Sequence, residues 1–207
     1  DICVRFDYAA EDEVFELPQA LPEESTKPCR RAWSPAPITE KELAYIMFTS
    51  GTTGVPKGVM ITQRAMLQYS QWAAAHWRAD ENDVIFGHTP LNFDVSVYAF
   101  GASIVSGAAL LTIPSHQENN SAYMASALEQ SDASVWISAP SLLTLFVRYG
   151  TLAKLRLPRL RTVSYAAEEL PNATLIQWMR KFPATEFHNL YGPTETTVTC
   201  LGHFYRN

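Results

Sequence analysis

The sequence has 207 residues, of which 47% are hydrophobic and 18% charged, so it holds enough apolar material for one sizeable core. Its formal net charge is −5, and no run of Lys or Arg is longer than a pair, which argues against nucleic acid or an anionic membrane as a partner. The uncharged run over residues 95–117 is interrupted by serine, glycine and proline, and therefore favours a helix followed by a strand over a membrane span.

The cysteines indicate a reducing compartment. Cys3, Cys29 and Cys200 are far apart, form no C-x-x-C pair, and have only His203 near one of them, which does not make a metal site. Residues 1–5 show neither a signal peptide nor an initiator Met. We therefore expect a cytoplasmic protein whose chain was cut from a longer one.

The first part of the chain has no apolar period. Residues 12–37 combine repeated prolines with Glu and Ser, which is typical of an extended connector. We assign residues 1–40 to a connector and edge segment, and residues 41–207 to an ordered but partial core.

Strand and helix patterns alternate after this segment. In chain order they first predict strands over residues 44–49 and 59–61, followed by a helix with Met66, Tyr69, Ala73 and Trp77 on one face. A strand over residues 84–87 comes next, and then a helix carrying Val97, Phe100, Ile104 and Val105. A strand over residues 109–113 follows that helix. Thr62 is a predicted helix cap, and Gly107 is a predicted helix stop.

The alternation continues to the end of the chain. It predicts a helix over residues 122–129, a strand over 134–138, a helix over 140–149 ending at Gly150, a strand over 162–165, a helix over 171–182 and a strand over 186–190. Pro140 and Pro171 suit the first position of a helix. The fold class is therefore α/β, with a mostly parallel sheet flanked by helices on both faces.

Ligands of such sheets lie beyond the carboxyl ends of the strands. The loops of interest are therefore residues 50–58, 88–94, 166–170 and 191–197. The first follows Thr49 and reads Ser-Gly-Thr-Thr-Gly-Val-Pro-Lys-Gly. Glycines let backbone amides approach an anion, hydroxyls donate to phosphate oxygens, and Lys57 adds a positive charge. It is not a Walker loop, because Pro56-Lys57-Gly58 and a strand follow. A mobile Gly/Thr hairpin without a ligand is the alternative.

Two further segments stand at strand ends. Residues 189–197 read Asn-Leu-Tyr-Gly-Pro-Thr-Glu-Thr-Thr, which by itself is also an ordinary turn with Tyr191 in the core. Residues 93–97 read Phe-Asp-Val-Ser-Val, and Asp94 there could be a simple helix cap.

Together, and in this order, the three segments over about residues 43–199 resemble the adenylate-forming superfamily, which includes nonribosomal-peptide adenylation domains, acyl-CoA synthetases and luciferases. The resemblance implies ATP and Mg²⁺ as cofactors, with phosphate and nucleotide bound by Thr49, Ser50, Gly51, Thr52, Thr53, Gly54, Lys57, Asn189, Tyr191, Gly192 and Thr194. It implies that Tyr191 stacks on adenine, that Thr194 contacts the α-phosphate and that Glu195 holds Mg²⁺. Thr194, Glu195 and Lys57 are then the catalytic residues.

The segment at Asp94 is most similar to amino acid adenylation domains, where this aspartate receives the α-ammonium group. An ammonium about 4 Å from a carboxylate gains roughly 4 kcal/mol at an effective dielectric near 20. The implied substrate pocket comprises Phe93, Asp94, Val95, Tyr98, Ser138, Ser164, Ala166, Leu190, Val198 and Thr199. Each of these also reads as ordinary core packing, and as a set they indicate a small or medium, mostly uncharged side chain.

The resemblance predicts ATP-dependent activation of an amino acid to an aminoacyl adenylate. In the full-length enzyme the acyl group would pass to the phosphopantetheine thiol of a carrier protein. The alternatives are a carboxylate-CoA ligase and a noncatalytic fragment that only binds nucleotide or substrate. The ribose-binding aspartate motif, the hinge and the C-terminal lid with its lysine do not occur in these residues, so we expect the chain alone to be inactive or weak.

The segment that would lie beside adenine differs from that of many family members. Where many family members have Gly-Gly-Glu or Ala-Gly-Glu beside adenine, this chain has Ala166-Ala167-Glu168-Glu169, and the extra methyl groups should crowd the approach to the base. His88 lies in a ligand-side loop and is a candidate to face the substrate, but it receives no role. The other histidines, His76, His116, His188 and His203, form no predicted cluster.

Overall fold

The computed structural model describes residues 38–50, 55–118 and 120–206. The predicted connector over residues 12–37, together with Cys3 and Cys29, lies outside the described residues. The same is true of residues 51–54 at the tip of the glycine-rich loop.

Eight strands and six α-helices occur in the described part of the chain. The strands are β1 (Leu43–Thr49), β2 (Lys57–Thr62), β3 (Val84–Gly87), β4 (Ala109–Leu111), β5 (Val135–Ser138), β6 (Thr162–Tyr165), β7 (Glu186–Tyr191) and β8 (Leu201–Tyr205). The helices are α1 (Gln63–Trp77), α2 (Val95–Ser106), α3 (Ser121–Ser131), α4 (Pro140–Arg148), α5 (Thr151–Lys154) and α6 (Asn172–Lys181). Short 3-10 turns cover Ser115–Gln117 and Thr194–Thr196.

The strands form two sheets. β1 and β2 make an antiparallel hairpin of their own, whereas the main sheet has the order β4-β3-β5-β6-β7-β8. Its first five strands are parallel, and β8 runs antiparallel to β7. The mostly parallel α/β fold is therefore confirmed.

The main sheet has a separate core on each face. Ile85, Val135 and Ile137 point towards α1 and α2, while the alternate residues Phe86 and Trp136 point towards helices α3 to α6. Successive side chains of a strand lie on opposite faces, so fully apolar strands of this kind need helices on both sides. We call the first the α1–α2 face and the second the α3–α6 face.

Several local predictions are confirmed. The Thr62 hydroxyl accepts the backbone N–H of Ala65 at 3.3 Å and caps α1. Pro140 begins α4, and Gly107 ends α2 with φ of 77°. Residues 95–117 form α2 and then β4, the predicted helix followed by a strand, and end in a 3-10 turn that was not predicted. Of the described helices, none is both long and apolar enough to cross a bilayer.

Other boundaries differ from the prediction for tertiary reasons. β4 ends at Leu111 rather than residue 113, because its partner Phe86 is near the end of β3. Pro171 precedes α6 in an extended conformation, with ψ of 133°, instead of occupying its first turn. The patterns predicted neither α5, which is only four residues long, nor β8, which depends on pairing with β7.

Candidate functional site

The glycine-rich loop is closed at its base by the β1–β2 hairpin. Thr49 lies opposite Lys57 in the antiparallel register, so residues 50–56 form the connection between the two strands. The side chains of Ser50 and Lys57 are exposed there. Hydroxyl and ammonium donors of the predicted phosphate loop are thus held at one end of the hairpin, whereas Gly51, Thr52, Thr53 and Gly54 lie outside the described residues.

The second motif, residues 189–197, leads from β7 into a loop that ends at β8 and is pinched at its base. The backbone N–H of Cys200 donates to the carbonyl of Tyr191 at 2.9 Å. Thr197 and Val198 have φ of 63° and 70°, which turns the chain back towards β7. A Cβ on Gly192 would lie 2.4 Å from the Cα of Thr199, so only glycine fits at this crossing.

The pinched loop brings the first two motifs together. β2, which begins at Lys57, contacts the 3-10 turn that holds Thr194 and Glu195. Within the described residues, the exposed Glu195 carboxylate makes no hydrogen bond or ion pair. A free carboxylate is a hard oxygen ligand of the kind that Mg²⁺ requires, whereas the hydroxyl and lysine N–H groups on these neighbouring elements suit phosphate oxygens.

The side chains predicted to hold the nucleotide base are accessible. The Tyr191 ring is 65% exposed at the carboxyl end of β7, which leaves its face free for stacking. Asn189 is exposed on the same strand. Ala166 is buried in the α1–α2 face, whereas Ala167 is exposed with φ of 75°, a conformation that favours glycine. The methyl group predicted to crowd the base therefore belongs to a residue whose side chain faces solvent.

Asp94 precedes α2 but does not cap it. Its backbone is helical, with φ of −64° and ψ of −24°, and its side chain makes no capping hydrogen bond. The polar bond at this helix end comes from Ser96, whose hydroxyl donates to the carbonyl of Phe93 at 2.7 Å. The interpretation of Asp94 as a side-chain cap is therefore wrong, and its partly buried carboxylate makes no hydrogen bond to the start of α2.

Two tyrosines are near enough to Asp94 for its negative charge to act on their hydroxyls. Burial raises the pKa of Tyr45 to about 12, and the negative charge of Asp94 adds to the rise. Burial also raises the pKa of Tyr69, opposed by its hydrogen bond with Thr199 and supported by Asp94. The Tyr69 hydroxyl and the Thr199 hydroxyl are 2.9 Å apart. Sequence reasoning missed both tyrosines as site residues, because nothing in their spacing distinguishes them from core positions.

Most of the predicted pocket residues converge on the α1–α2 face. Tyr98 is fully buried and stacks on Trp77 with ring centroids 4.0 Å apart. The Trp77 indole N–H donates to the Ser164 hydroxyl at 2.8 Å. The remaining residues of this group are Val95, Ala166, Leu190, Val198 and Thr199. Phe93 is instead 58% exposed beside Asp94.

Ser138 departs from the predicted pocket. It pairs in register with Tyr165, whose ring belongs to the core of the α3–α6 face. Its hydroxyl donates to the carbonyl of Ala139 at 3.1 Å. Paired residues of parallel strands share a face, so this structure does not bring Ser138 together with Ser164.

A groove of about 410 Å³ runs beside the pinched loop. Its walls come from α1, from the 3-10 turn and from β8, and they include Tyr69, Trp72, Thr196, Thr197, Thr199 and Gly202. This volume is in the range of small-molecule sites. The groove therefore reaches the Tyr69–Thr199 contact from the side of the second motif.

The histidines include one pair that was not predicted. His76 Nε2 and His188 Nδ1 are 2.9 Å apart, and His188 also contacts Glu186 at 3.3 Å. These two histidines meet although they are 112 positions apart in the sequence, so residue spacing alone does not reveal the pair. No set of three or more potential metal ligands occurs among the described residues.

A model of the AMP-binding enzyme family matches residues 4–206. The chain belongs to this family. The adenylate-forming superfamily inferred from the three motifs is thereby confirmed.

The curated relatives include D-alanine--D-alanyl carrier protein ligases. The protein of Bacillus anthracis (strain CDC 684 / NRRL 3495) is 35% identical over 158 residues, covering 76% of this chain and 31% of the relative. The protein of Bacillus cereus (strain AH820) has the same identity and coverage. This chain thus spans about a third of the length of these relatives.

Solved structures show the same fold. The Vibrio cholerae adenylation domain AlmE, in complex with glycyl-adenosine-5'-phosphate, has a TM-score of 0.72 and 31% identity over 80% of this chain and 31% of its own. IdnL7 has a TM-score of 0.71 and 30% identity over 81% of this chain and 33% of its own. This segment therefore has the fold of an adenylation domain.

Proposed function

We propose that the protein containing this segment activates an amino acid as an aminoacyl adenylate at the expense of ATP. The observation that carries the proposal is Asp94, a partly buried carboxylate at the start of α2 that does not cap its helix. It directly precedes Val95, which packs against the apolar and aromatic core of the α1–α2 face. A carboxylate in such a place is suited to a cationic group of a small substrate.

The pocket walls support a small or medium, uncharged side chain. Tyr98 is held by its stacking on Trp77, and Leu190 of β7 is only 2% exposed. These bulky residues limit the depth of the proposed pocket. The Ser164 hydroxyl already accepts a hydrogen bond from the Trp77 indole N–H. The curated relatives are named for D-alanine, and the Vibrio cholerae adenylation domain was solved in complex with glycyl-adenosine-5'-phosphate; both compounds derive from small, uncharged amino acids.

The reaction would be attack by the substrate carboxylate on the α-phosphorus of ATP, with pyrophosphate as the leaving group. A carboxylate is already ionised, so the site needs alignment and charge neutralisation rather than a general base. Lys57 and the hydroxyls at the hairpin base would hold the departing phosphates. Thr194 would donate to the α-phosphate, and Tyr191 would stack on adenine.

Mg²⁺ would be held by Glu195, whose carboxylate is exposed and unpaired within the described residues. When bound, the ion would neutralise charge on the phosphate oxygens. The contact between β2 and the 3-10 turn keeps Lys57 and Glu195 on neighbouring elements, which suits a shared phosphate group.

The acceptor of the acyl group would be the phosphopantetheine thiol of a carrier protein. The support is the name of the curated relatives, which are carrier protein ligases. Because this chain spans 31% of those relatives, the complete reaction is proposed for the longer protein. We further propose that residues 41–207 are the partial adenylation core and that residues 1–40 connect it.

The test is pyrophosphate exchange into ATP by the longest natural polypeptide that contains this segment. A panel of amino acids is compared with the corresponding amine-free acids. We expect exchange with one or a few small amino acids, and loss of that exchange by two to four decades in Asp94→Asn. Exchange only with amine-free acids would overturn the proposal.

Asp132→Asn is the matched control. Asp132 ends α3 with φ of 54°, a conformation that asparagine tolerates, and its side chain is 49% exposed beside Arg159. Its substitution removes one carboxylate without touching the pocket, so exchange should match that of the unmodified protein. Equal losses in the two variants would show that charge alone, and not the position of Asp94, is responsible.

A further inference from the structure

The β1–β2 hairpin contributes more than the glycine-rich loop to this site. Tyr45 and Met47 of β1 pack against the core of the α1–α2 face, while Ile46 and Phe48 alternate outwards and are exposed. The strand that leads into the predicted phosphate loop therefore also reaches the substrate pocket with one aromatic side chain.

An irregularity in the hairpin sets the direction of that side chain. Leu43 pairs with Thr62, but Tyr45 pairs with the adjacent Ile61, so Ala44 is an extra residue in β1. A bulge of this kind bends its strand and changes the direction of the side chain that follows. Tyr45 is the first residue after it.

The Tyr45 hydroxyl is buried and has no hydrogen-bond partner among the described residues. A buried phenol without a partner costs free energy, because it has lost its hydrogen bonds to water. Asp94 is near enough for its charge to act on this hydroxyl. The neighbouring Tyr69 hydroxyl, by contrast, is already bonded to Thr199.

We propose that the Tyr45 hydroxyl is a specificity-determining contact for the substrate amine, accepting one N–H of the ammonium group that pairs with Asp94. An ammonium group has three N–H donors, and one carboxylate does not satisfy them all in a buried site. The phenol oxygen supplies a second acceptor, and the bound amine supplies the missing partner of the phenol. This inference rests on the proposed amino acid substrate.

Both effects favour substrates that carry an amine. An amine-free acid would leave the Asp94 carboxylate and the Tyr45 hydroxyl without partners.

The test uses Tyr45→Phe in the longest natural polypeptide, with the amino acid that supports pyrophosphate exchange in the unmodified protein. Phenylalanine keeps the ring and its packing, and removes only the hydroxyl. We expect the KM for the amino acid to rise about 10- to 100-fold, the range for loss of a hydrogen bond to a charged group. The KM for ATP should stay the same.

The amine-free analogue of that amino acid is the internal control, measured as an inhibitor of exchange. Its inhibition constant should not rise in Tyr45→Phe, because it lacks the amine that the hydroxyl would contact. An equal rise for both compounds would mean that Tyr45 only supports the shape of the pocket, and no change for either would mean that the hydroxyl is not a contact; each result overturns the proposal.

Tyr123→Phe controls for loss of a buried phenol elsewhere. Tyr123 is on α3, and its substitution should leave the KM for the amino acid unchanged. The outcome also separates this inference from the proposed function. If Asp94→Asn abolishes amino acid activation and Tyr45→Phe has no effect, only the role of Tyr45 is lost; if no amino acid supports exchange, the proposed function itself fails.

Discussion

Gly192 and Thr199 cross at the base of the loop between β7 and β8, so closely that a Cβ on Gly192 would lie 2.4 Å from the Cα of Thr199 and 2.7 Å from the carbonyl oxygen of Val198. The obstacles are backbone atoms, which cannot rotate away. The crossing sets the position of Thr194 and Glu195, which lie inside the loop.

We predict that Gly192→Ala opens this crossing. Overpacking of this kind costs about 1–3 kcal/mol of unfolding free energy, and the displaced loop should reduce pyrophosphate exchange at least tenfold. Urea unfolding and exchange kinetics measure the two effects. Gly150→Ala is the control, since Gly150 has φ of 70° but no atom within 4 Å of an added Cβ. That variant should lose about 1–2 kcal/mol and keep its specific activity.

The hydrogen bond from Trp77 to Ser164 should contribute measurably to stability. Ser164→Ala removes the acceptor of an indole N–H that is fully buried, which costs about 1–3 kcal/mol. Urea unfolding followed by tryptophan fluorescence measures the loss. Ser103→Ala is the control, because the Ser103 hydroxyl donates to a helical carbonyl of its own turn. A loss in Ser103→Ala as large as in Ser164→Ala would contradict the explanation.

His88 should make the protein less stable in acid. Burial lowers the pKa of His88 to about 4, from an ordinary value of 6.5, and Nε2 has no partner in the described part of the chain. A lowered pKa means that the unfolded chain binds the proton more readily, so stability is full above pH 6.5 and falls as the pH approaches 4.

We therefore predict that His88→Phe reduces the fall in unfolding free energy between pH 8 and pH 5. At pH 5 the folded protein bears a cost of about 2 kcal/mol for keeping His88 neutral, and the variant should be free of it. Unfolding free energies at pH 5 and pH 8 give the comparison. His116→Phe, at a more exposed histidine, should retain the slope of the unmodified protein.

A second pH effect should arise from Asp83. This carboxylate is buried, which raises its pKa, but hydrogen bonds from Ser134 and Arg161, each at 2.6 Å, lower it below the ordinary 3.8 overall. The unfolded chain then binds the proton more readily, so the stabilisation is present above pH 3.8 and is lost as the pH falls below it. Asp83→Asn should reduce the loss of stability between about pH 4 and pH 3, measured by urea unfolding. If the unfolding free energy falls as steeply between these pH values in Asp83→Asn as in the unmodified protein, Asp83 does not contribute to the loss of stability.

Much of the fold follows from local patterns. The apolar runs of β3 and β6 were predicted with their observed bounds, and Thr62 and Gly107 were recognised as helix ends. Each of these depends on contacts within a few residues, which a single sequence displays. β8 could not be predicted from such local contacts, because its residues become a strand only by pairing with β7.

For the candidate site too, some features can be read from the sequence, and others depend on the tertiary structure. The sequence by itself determined which loops carry glycine, hydroxyl, lysine and carboxylate groups, because these chemical types are read directly from the residues at strand ends. Only the tertiary structure decided which of them meet. Tyr45 and Asp94 are 49 positions apart, and His76 and His188 are 112 apart. It also separated Ser138 from Ser164, since the pairing register and pleat of the sheet, rather than residue type, decide which face a side chain joins.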